Sequence, residues 1–414
     1  MLSKKTIFFL TLFILGFLFR LFLTQLFPQP LIFDQKEYHE VALDMLGERQ
    51  YVYISSYRLY GYPLILAILY SIFGRESTFS WKISQALMDT ATAVLIYFIA
   101  KKIFKKGQPA WIAYFLYLFN PYTSAYVGVR LTEITAIFLV TLIFYLFLQT
   151  NLTVKMIPLF LLAVTLGYLP QVRPGFLFFS LTILAVLLFR LVKSVSSKKI
   201  KIAKLVLTLL LFVLPFSYNT AHNLIYFKQN SPLTVDNLFA REFYVSLFIE
   251  NSDTISFIPP QVNWIYQEYS TAKTAEGRRI MTQKYFNLAL EEIKKDPTKF
   301  IANRFKKLWF VWEKHAIFPY GRLKHPVADF MTYWGNVTLL VLAIFGLWSY
   351  IKGKVHKGAL LSIFLCLYIS LLHAFSITAE RFSLPAYPLI FLFTGFSLWQ
   401  IYHILSLWIT PKKS

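Results

Sequence analysis

Cysteine is almost absent from this chain. The single thiol, Cys366, excludes a disulfide or a Cys-metal site built within one chain. Charge is scarce as well. Asp, Glu, Lys and Arg make up 15% of the 414 residues, where a soluble domain carries about 25%. Acids are the scarcer sign, 20 against 42 Lys and Arg, which leaves a net charge of +22. No internal repeat is visible, which counts against an inverted-repeat transporter. What is present is apolar. Hydrophobic residues reach 57% and aromatics 19%, with a mean hydropathy of +0.54. These values define an all-α polytopic membrane protein rather than a string of soluble domains. In so apolar a chain the positive charge does not point to nucleic acid.

A span needs about 20 apolar residues. Ten stretches qualify: 6–27, 82–100, 109–128, 132–150, 155–170, 174–191, 204–224, 330–350, 359–377 and 383–408. One more, 59–73, is shorter and contains Gly61 and Pro63. If 59–73 does not cross and Lys4 and Lys5 are cytoplasmic, the loops on that side carry 17 lysines and no Asp or Glu. If it does cross, every later basic loop flips outward. The positive-inside rule therefore favours ten spans with both termini cytoplasmic in an inner (plasma) membrane. The first span ends in Phe-Pro-Gln-Pro, not in small residues, so an uncleaved signal-anchor is expected. Three units follow: an N-terminal membrane module (1–225) with an external loop at 28–81, a second external loop of about a hundred residues (226–329), and C-terminal spans (330–414).

The first external loop reads FDQKEYHEVALDML from Phe33. Tyr38, Val41, Ala42, Met45 and Leu46 match the spacing of one helix face, so an amphipathic surface helix is expected. Asp34, with Glu37 three residues on, reads as an N-cap or as a functional carboxylate. Arg58 precedes a Pro-started apolar helix, where a guanidinium pairs with lipid phosphate or snorkels to headgroups. Arg130 and Glu133 lie between the third and fourth spans. Glu133 opens a helix, where an acid also complements the dipole. Arg173-Pro174 marks the turn between the fifth and sixth spans. Arg20 lies inside the first span, a costly place that implies a cavity or a partner. Arg381 follows Glu380 at the start of the last span.

These arginines and carboxylates share one level, an outward-facing polar basin over an apolar bundle. That is the layout for an anionic headgroup on a lipid tail. Tyr38, Tyr62, His222 and Asn223 are candidate substrate contacts at the same level. In the second loop, DPTKFIANRFKKLWFVW reads as an interfacial helix capped by Asp296. No cofactor is expected: His222, His315 and His325 match no metal-ligand spacing, and nothing in the sequence supports a divalent metal.

The order of these pieces resembles the GT-C fold glycosyltransferases, in the branch of protein O-mannosyltransferases and aminoarabinose transferases. The resemblance rests on Asp34 with Tyr38 and Ala42, on GYPLILAILYSIFG, and on WKISQALMDTATAVLIYFIAKKIF. It continues through Glu133 in RLTE, Arg173-Pro174, the IKKDPTKFIANRFKKLWFVW helix and RFSLPAYPLIF, and so covers nearly the whole chain. Two departures stand out. Gln35 follows Asp34 where eukaryotic relatives often carry Glu, and Gly61-Tyr62 stands where aminoarabinose transferases carry Glu-Lys. On the resemblance, Arg58 would stand in for that phosphate-binding Lys.

The resemblance implies a bundle of about ten spans and a non-spanning 59–73. It implies inverting transfer of a sugar from a polyprenyl (undecaprenyl) phosphate-linked donor to an acceptor on the external, periplasmic face. Asp34 would be the general base and Glu133 the second catalytic acid position. Arg20, Arg58, Arg130, Arg173 and Arg381 would hold the lipid phosphate. The acceptor is a glycan, lipid or protein hydroxyl or phosphate. The competing functions are a lipid-linked sugar flippase or transporter, and a glycan ligase or polymerase using a diphosphate-linked donor.

Overall fold

The computed structural model describes residues 3–47, 58–75, 77–150, 156–194, 197–235, 238–249, 260–271, 274–320, 325–352 and 357–409. Among these there is no strand. The first half holds helices α1 Lys4–Leu26, α2 Asp34–Met45, α3 Gly61–Phe73, α4 Thr78–Phe104, α5 Gly107–Leu118, α6 Pro121–Ser124, α7 Glu133–Gln149, α8 Met156–Val172, α9 Leu177–Val192, α10 Lys198–Val213 and α11 Ser217–Phe227. The second half holds α12 Phe239–Ser246, α13 Asn263–Thr271, α14 Ala275–Lys295, α15 Pro297–Phe310, α16 Pro326–Ile351, α17 Lys357–Ala374 and α18 Tyr387–Ile409.

Seven helical segments among the described residues are long and apolar enough to cross a membrane: Lys4–Leu26, Phe79–Phe104, Pro174–Val192, Lys198–Phe227, Pro326–Ile351, Lys357–Ala374 and Glu380–Ser406. Three expected spans are modified. Helices α7 and α8 are apolar but have 17 residues each, the lower limit for a span. The stretch 109–128 is not one helix. It stops at Leu118, and Asn120 recaps the chain by accepting from Thr123 N at 2.9 Å ahead of Pro121. Pro lacks the N–H that an uninterrupted helix needs, so the break is local chemistry. Helix α3 has 13 residues, about 20 Å, and falls short of the roughly 30 Å hydrocarbon core.

The core is continuous and rich in aromatics. Helices α4, α5, α7, α8, α16 and α18 pack on one another around Ile96, Ala113, Tyr117, Phe144, Leu166 and Leu392, all buried. The other sides of α1, α10 and α16 expose Ile14, Leu18, Phe22, Leu210, Val341 and Ile344. Such faces are stable against hydrocarbon and costly against water. The lysine-rich turns gather at one end of the bundle, where Lys102 reaches Gln149 Oε1 at 2.9 Å and Arg190 reaches Thr150 O at 3.4 Å.

At the opposite end, α12 to α15 bury a second small core around Phe243, Val245, Ile265, Tyr285 and Ala289. Two buried cations tie it to the bundle. Arg304 donates to Ser246 O at 3.1 Å and to Ala374 O at 2.8 Å, and Lys307 donates to Ser246 O at 2.6 Å. These carbonyls end α12 and α17, where the helix dipole favours positive charge. Burial pushes the Lys307 ammonium down to about 6, and the neighbouring Arg304 charge adds to that shift.

Candidate active site

Helix α2 lies on α3, and α3 in turn packs on α4 and α8. Val41, Ala42 and Leu43 are buried, with Tyr38, Met45 and Leu46 partly buried against the same core. The expected amphipathic face is therefore present. Asp34 is not its N-cap. The helix starts at Asp34 itself, and no side chain caps it. The preceding residue, Phe33, holds φ 50° and ψ −133°, a strained conformation for a residue with a Cβ. The carboxylate is thereby left for other partners.

Those partners are two arginines from distant parts of the chain. Arg58 Nη2 donates to Asp34 Oδ1 at 2.7 Å, and Arg381 Nη2 donates to Asp34 Oδ2 at 2.7 Å. Arg58 also grips Glu37 through Nε at 2.8 Å and lies 4.8 Å over the Tyr38 ring. Glu133, its side chain 3% exposed, sits 3.6 Å from both Arg381 and Arg173. Arg381 Nη1 donates to the Tyr320 hydroxyl at 3.5 Å, and Tyr320 N donates to Gln29 Oε1 at 2.9 Å. Asp34 keeps 29% of its side chain accessible, so the residue is not sealed inside the bundle. Burial opposes its ionisation, but the Arg58 and Arg381 charges and hydrogen bonds outweigh that and hold its carboxyl well below the usual carboxylate range.

One residue along, Gln35 turns the other way. Its Oε1 accepts from Arg130 N at 2.9 Å and its Nε2 donates to Pro30 O at 2.6 Å. Tyr62 packs edge-on against Tyr38 with ring centroids 5.4 Å apart, and its hydroxyl donates to Gln85 Oε1 at 3.3 Å. Gln85 in turn donates to Val127 O and Val129 O at 3.0 and 2.8 Å, fixing the end of the 3-10 turn Ala125–Gly128 and the extended Val129 that precedes Arg130. The Arg130 guanidinium lies 5.1 Å over Trp81.

Asp34, Arg58, Arg381, Glu133, Arg173 and Tyr38 thus form one connected cluster, with Tyr62 and Arg130 beside it. Arg20 is not part of it. Its Nε donates to Asp89 Oδ2 at 2.6 Å with both side chains 0% exposed, and its Nη1 donates to Leu118 O at 2.6 Å. Tyr117 and Thr123 donate to the same carboxylate at 2.5 and 3.2 Å. The charge is consumed where α1, α4 and α5 meet, and no lipid phosphate reaches a fully buried guanidinium. Asn223 donates to Ser231 O and Leu233 O at 2.9 and 2.6 Å, anchoring the entry to the second loop, and His222 stands in an aromatic group with Tyr226 and Phe227. Glu380 does not pair with Arg381. Its Oε2 accepts from His315 N at 2.9 Å, while Lys314 donates to the Glu380 carbonyl and to Ser383 Oγ. Among the described residues no group of three or more His, Cys, Asp or Glu is placed to hold a metal ion. The residues that sequence reading left out of the site are Glu37 and Tyr320. Glu37 at the i+3 position from Asp34 was the visible signal; Tyr320 had none.

Residues 60–218 match the family model described as dolichyl-phosphate-mannose-protein mannosyltransferase. No curated protein sequence matches the chain. The fold is of the GT-C type. The Archaeoglobus fulgidus oligosaccharyltransferase AglB, in complex with an inhibitory peptide and a dolichol-phosphate, aligns at TM-score 0.50 and 12% identity over 100% of this chain and 53% of its own. The apo form of the A. fulgidus enzyme aligns at 0.54 and 12% identity over 96% and 51%. The form tethered to an acceptor peptide with the NVT sequon gives 0.55 and 12% identity over 96% and 50%. The chain spans about half the length of these solved structures.

Proposed function

We propose that the protein is an inverting glycosyltransferase that moves a sugar from a polyprenyl (undecaprenyl) phosphate-linked donor to an acceptor on the external face of the membrane. The reading rests above all on Asp34, an accessible carboxylate held ionised between Arg58 and Arg381 at the mouth of an apolar bundle. In the reaction the acceptor oxygen attacks the anomeric carbon. Its proton passes to the Asp34 carboxylate, the bond from the anomeric carbon to the phosphate oxygen breaks, and the electron pair leaves on the phosphate. General-base help of this kind contributes about 10²–10⁴ in rate. Fixed cations stabilise the departing charge.

Glu133 fits a role once removed from the chemistry, since it touches Arg381 and Arg173 and is almost wholly buried. The match of residues 60–218 to a family described by a lipid-phosphate sugar supports the donor class. The solved relatives bound to dolichol-phosphate and to an acceptor peptide support a lipid-linked donor and a separate acceptor. Placing the lysine-rich turns in the cytoplasm puts Asp34 on the external side. A transport reading needs a charged residue along a pathway. The Asp89 carboxylate is instead locked to Arg20.

The test compares envelope glycans by mass spectrometry from cells with the protein, without it, and with Asp34→Asn. The proposal expects one glycosylated species to be lost in the last two. Unchanged glycans in cells lacking the protein would refute it.

A further inference from the structure

Arg381 sits in the 3-10 turn Glu380–Ala386, directly after Glu380. That turn is tied to the segment following α15 in both directions. Lys314 donates to the Glu380 carbonyl, and the Glu380 carboxylate accepts from His315 N and Ala316 N at 2.9 and 3.4 Å. Lys314 also donates to Ser383 Oγ at 2.8 Å and to Glu313 O at 3.1 Å. Its three ammonium hydrogens thus meet three oxygens. Lys314 and Glu380 are both buried. Four residues beyond Ala316, the Tyr320 hydroxyl accepts from Arg381 Nη1 at 3.5 Å. The segment after α15 therefore holds Arg381 at its backbone root and at its guanidinium tip.

Burying an ammonium is costly, and apolar packing commonly fills such a place at less cost. What the ion adds here is geometry, because each of its bonds fixes the backbone or the turn that carries Arg381. We infer that Lys314 and Glu380 are a positioning pair: they set the root of Arg381, and through it the direction in which Arg381 holds Asp34. The bearing of the pair on catalysis rests on the glycosyl-transfer reading; the coupling itself does not.

The pair also makes that coupling sensitive to pH. Burial pushes the Lys314 ammonium down to about 7, against the opposing pull of Glu380 and Glu313. The other groups around it are the Tyr387 ring, 5.2 Å from the ammonium, and Tyr126, within range of the Glu380 charge. A neutral amine has two hydrogens, so deprotonation gives up one of the three bonds. Folding stability moves the other way. Between about 7 and the unfolded value of about 10.4 the folded chain binds fewer protons at Lys314 than the unfolded chain, so this group favours folding more as pH rises. Positioning weakens across a window in which the Lys314 contribution to stability grows, and a merely structural lysine does not separate the two.

The experiment reads amide hydrogen exchange of the full chain in nanodiscs at two places. One is 313–320, which holds the His315 and Ala316 amides. The other is the first turn of α2, where Gln35 N and Lys36 N donate to Ile32 O and Phe33 O at 3.2 and 3.0 Å. At pH 6, Lys314→Met is expected to speed exchange about tenfold in both places, and Arg381→Gln in α2 alone. Release of polyprenyl phosphate from polyprenyl-phosphate mannose, with membrane extract as the acceptor source, gives a second readout. Wild-type kcat is expected to fall as pH rises through about 7 with donor KM little changed, while Tm relative to Lys314→Met rises. Glu380→Gln keeps an acceptor oxygen but removes a charge that favours the ammonium. It is expected to move the basic limb down by about one pH unit or more, and it stays informative if Lys314→Met misfolds.

Faster exchange at 313–320 in Lys314→Met with α2 unchanged overturns the inference, as does a basic limb that Glu380→Gln leaves in place. Exchange that couples the two places without any release of polyprenyl phosphate upholds the positioning pair and refutes the glycosyl-transfer reading. Release of polyprenyl phosphate with α2 exchange untouched by Lys314→Met does the reverse.

Discussion

Asp34 and Arg381 stand 347 residues apart in the chain and meet at 2.7 Å. The contact closes the segment after the first helix onto the start of the last span, so the carboxylate is held between its arginines only in the assembled bundle. Arg58 completes the grip from the other side at 2.7 Å.

This grip sets the pH behaviour. Asp34 has a folded pKa depressed by its two arginines. Its ion pairs therefore contribute stability above the unfolded value of about 3.9 and lose it as pH falls through the depressed folded value. Transfer by the wild-type protein is expected to show no acid limb from Asp34 near pH 4. In Arg58→Gln the carboxyl moves back toward its ordinary range, and an acid limb is expected to rise toward pH 4. A pH–rate profile of the two proteins checks this; superimposable acid limbs would refute the coupling.

Glu133 offers a separation of roles. It lies 3.6 Å from Arg381 and from Arg173 and has almost no exposure. Glu133→Gln is expected to lower kcat by about tenfold through looser positioning of Arg381, with donor KM changed little. An effect confined to KM would instead place Glu133 on the substrate.

The Arg20–Asp89 pair is a structural lock. Removing one partner of a fully buried pair strands the other, at a cost of about 3–5 kcal/mol. Asp89→Ala is expected to lower Tm sharply, and the double variant Arg20→Met/Asp89→Leu to recover much of the loss. Thermal unfolding in detergent distinguishes these; equal Tm values for the single variant and the wild type would contradict the lock.

Gly61 marks a close approach. A Cβ there would lie 2.5 Å from the Gln171 backbone, where α3 meets the end of α8. Tyr168 already donates to Gly61 O at 2.6 Å. Gly61→Ala is expected to cost about 1–3 kcal/mol by overpacking and to disturb α2, which rests on α3. Measured stability and transfer should fall together.

The bundle was legible because long apolar runs write themselves into a sequence, and because lysines mark one set of turns. The α2 face was legible from its period. Its start was not: Asp34 followed by Glu37 reads as a cap, yet both carboxylates turn to Arg58. Pairings across 69 and 347 residues, Arg20 with Asp89 and Arg381 with Asp34, leave no local trace. Arg20 and Arg381 looked equivalent as arginines at helix ends, and packing alone separates a buried lock from a site residue. The Asn120-Pro121 break was readable in principle, since both residues signal a helix start, but the apolar run across 109–128 masked it.

The most direct measurement is sugar transfer from a polyprenyl-phosphate-linked donor by the purified chain in nanodiscs, wild type against Asp34→Asn, with Tm recorded for both. A general base in this position predicts a fall of about 10²–10⁴ in rate with a cooperative unfolding transition retained. Full transfer by a folded Asp34→Asn protein would contradict the account.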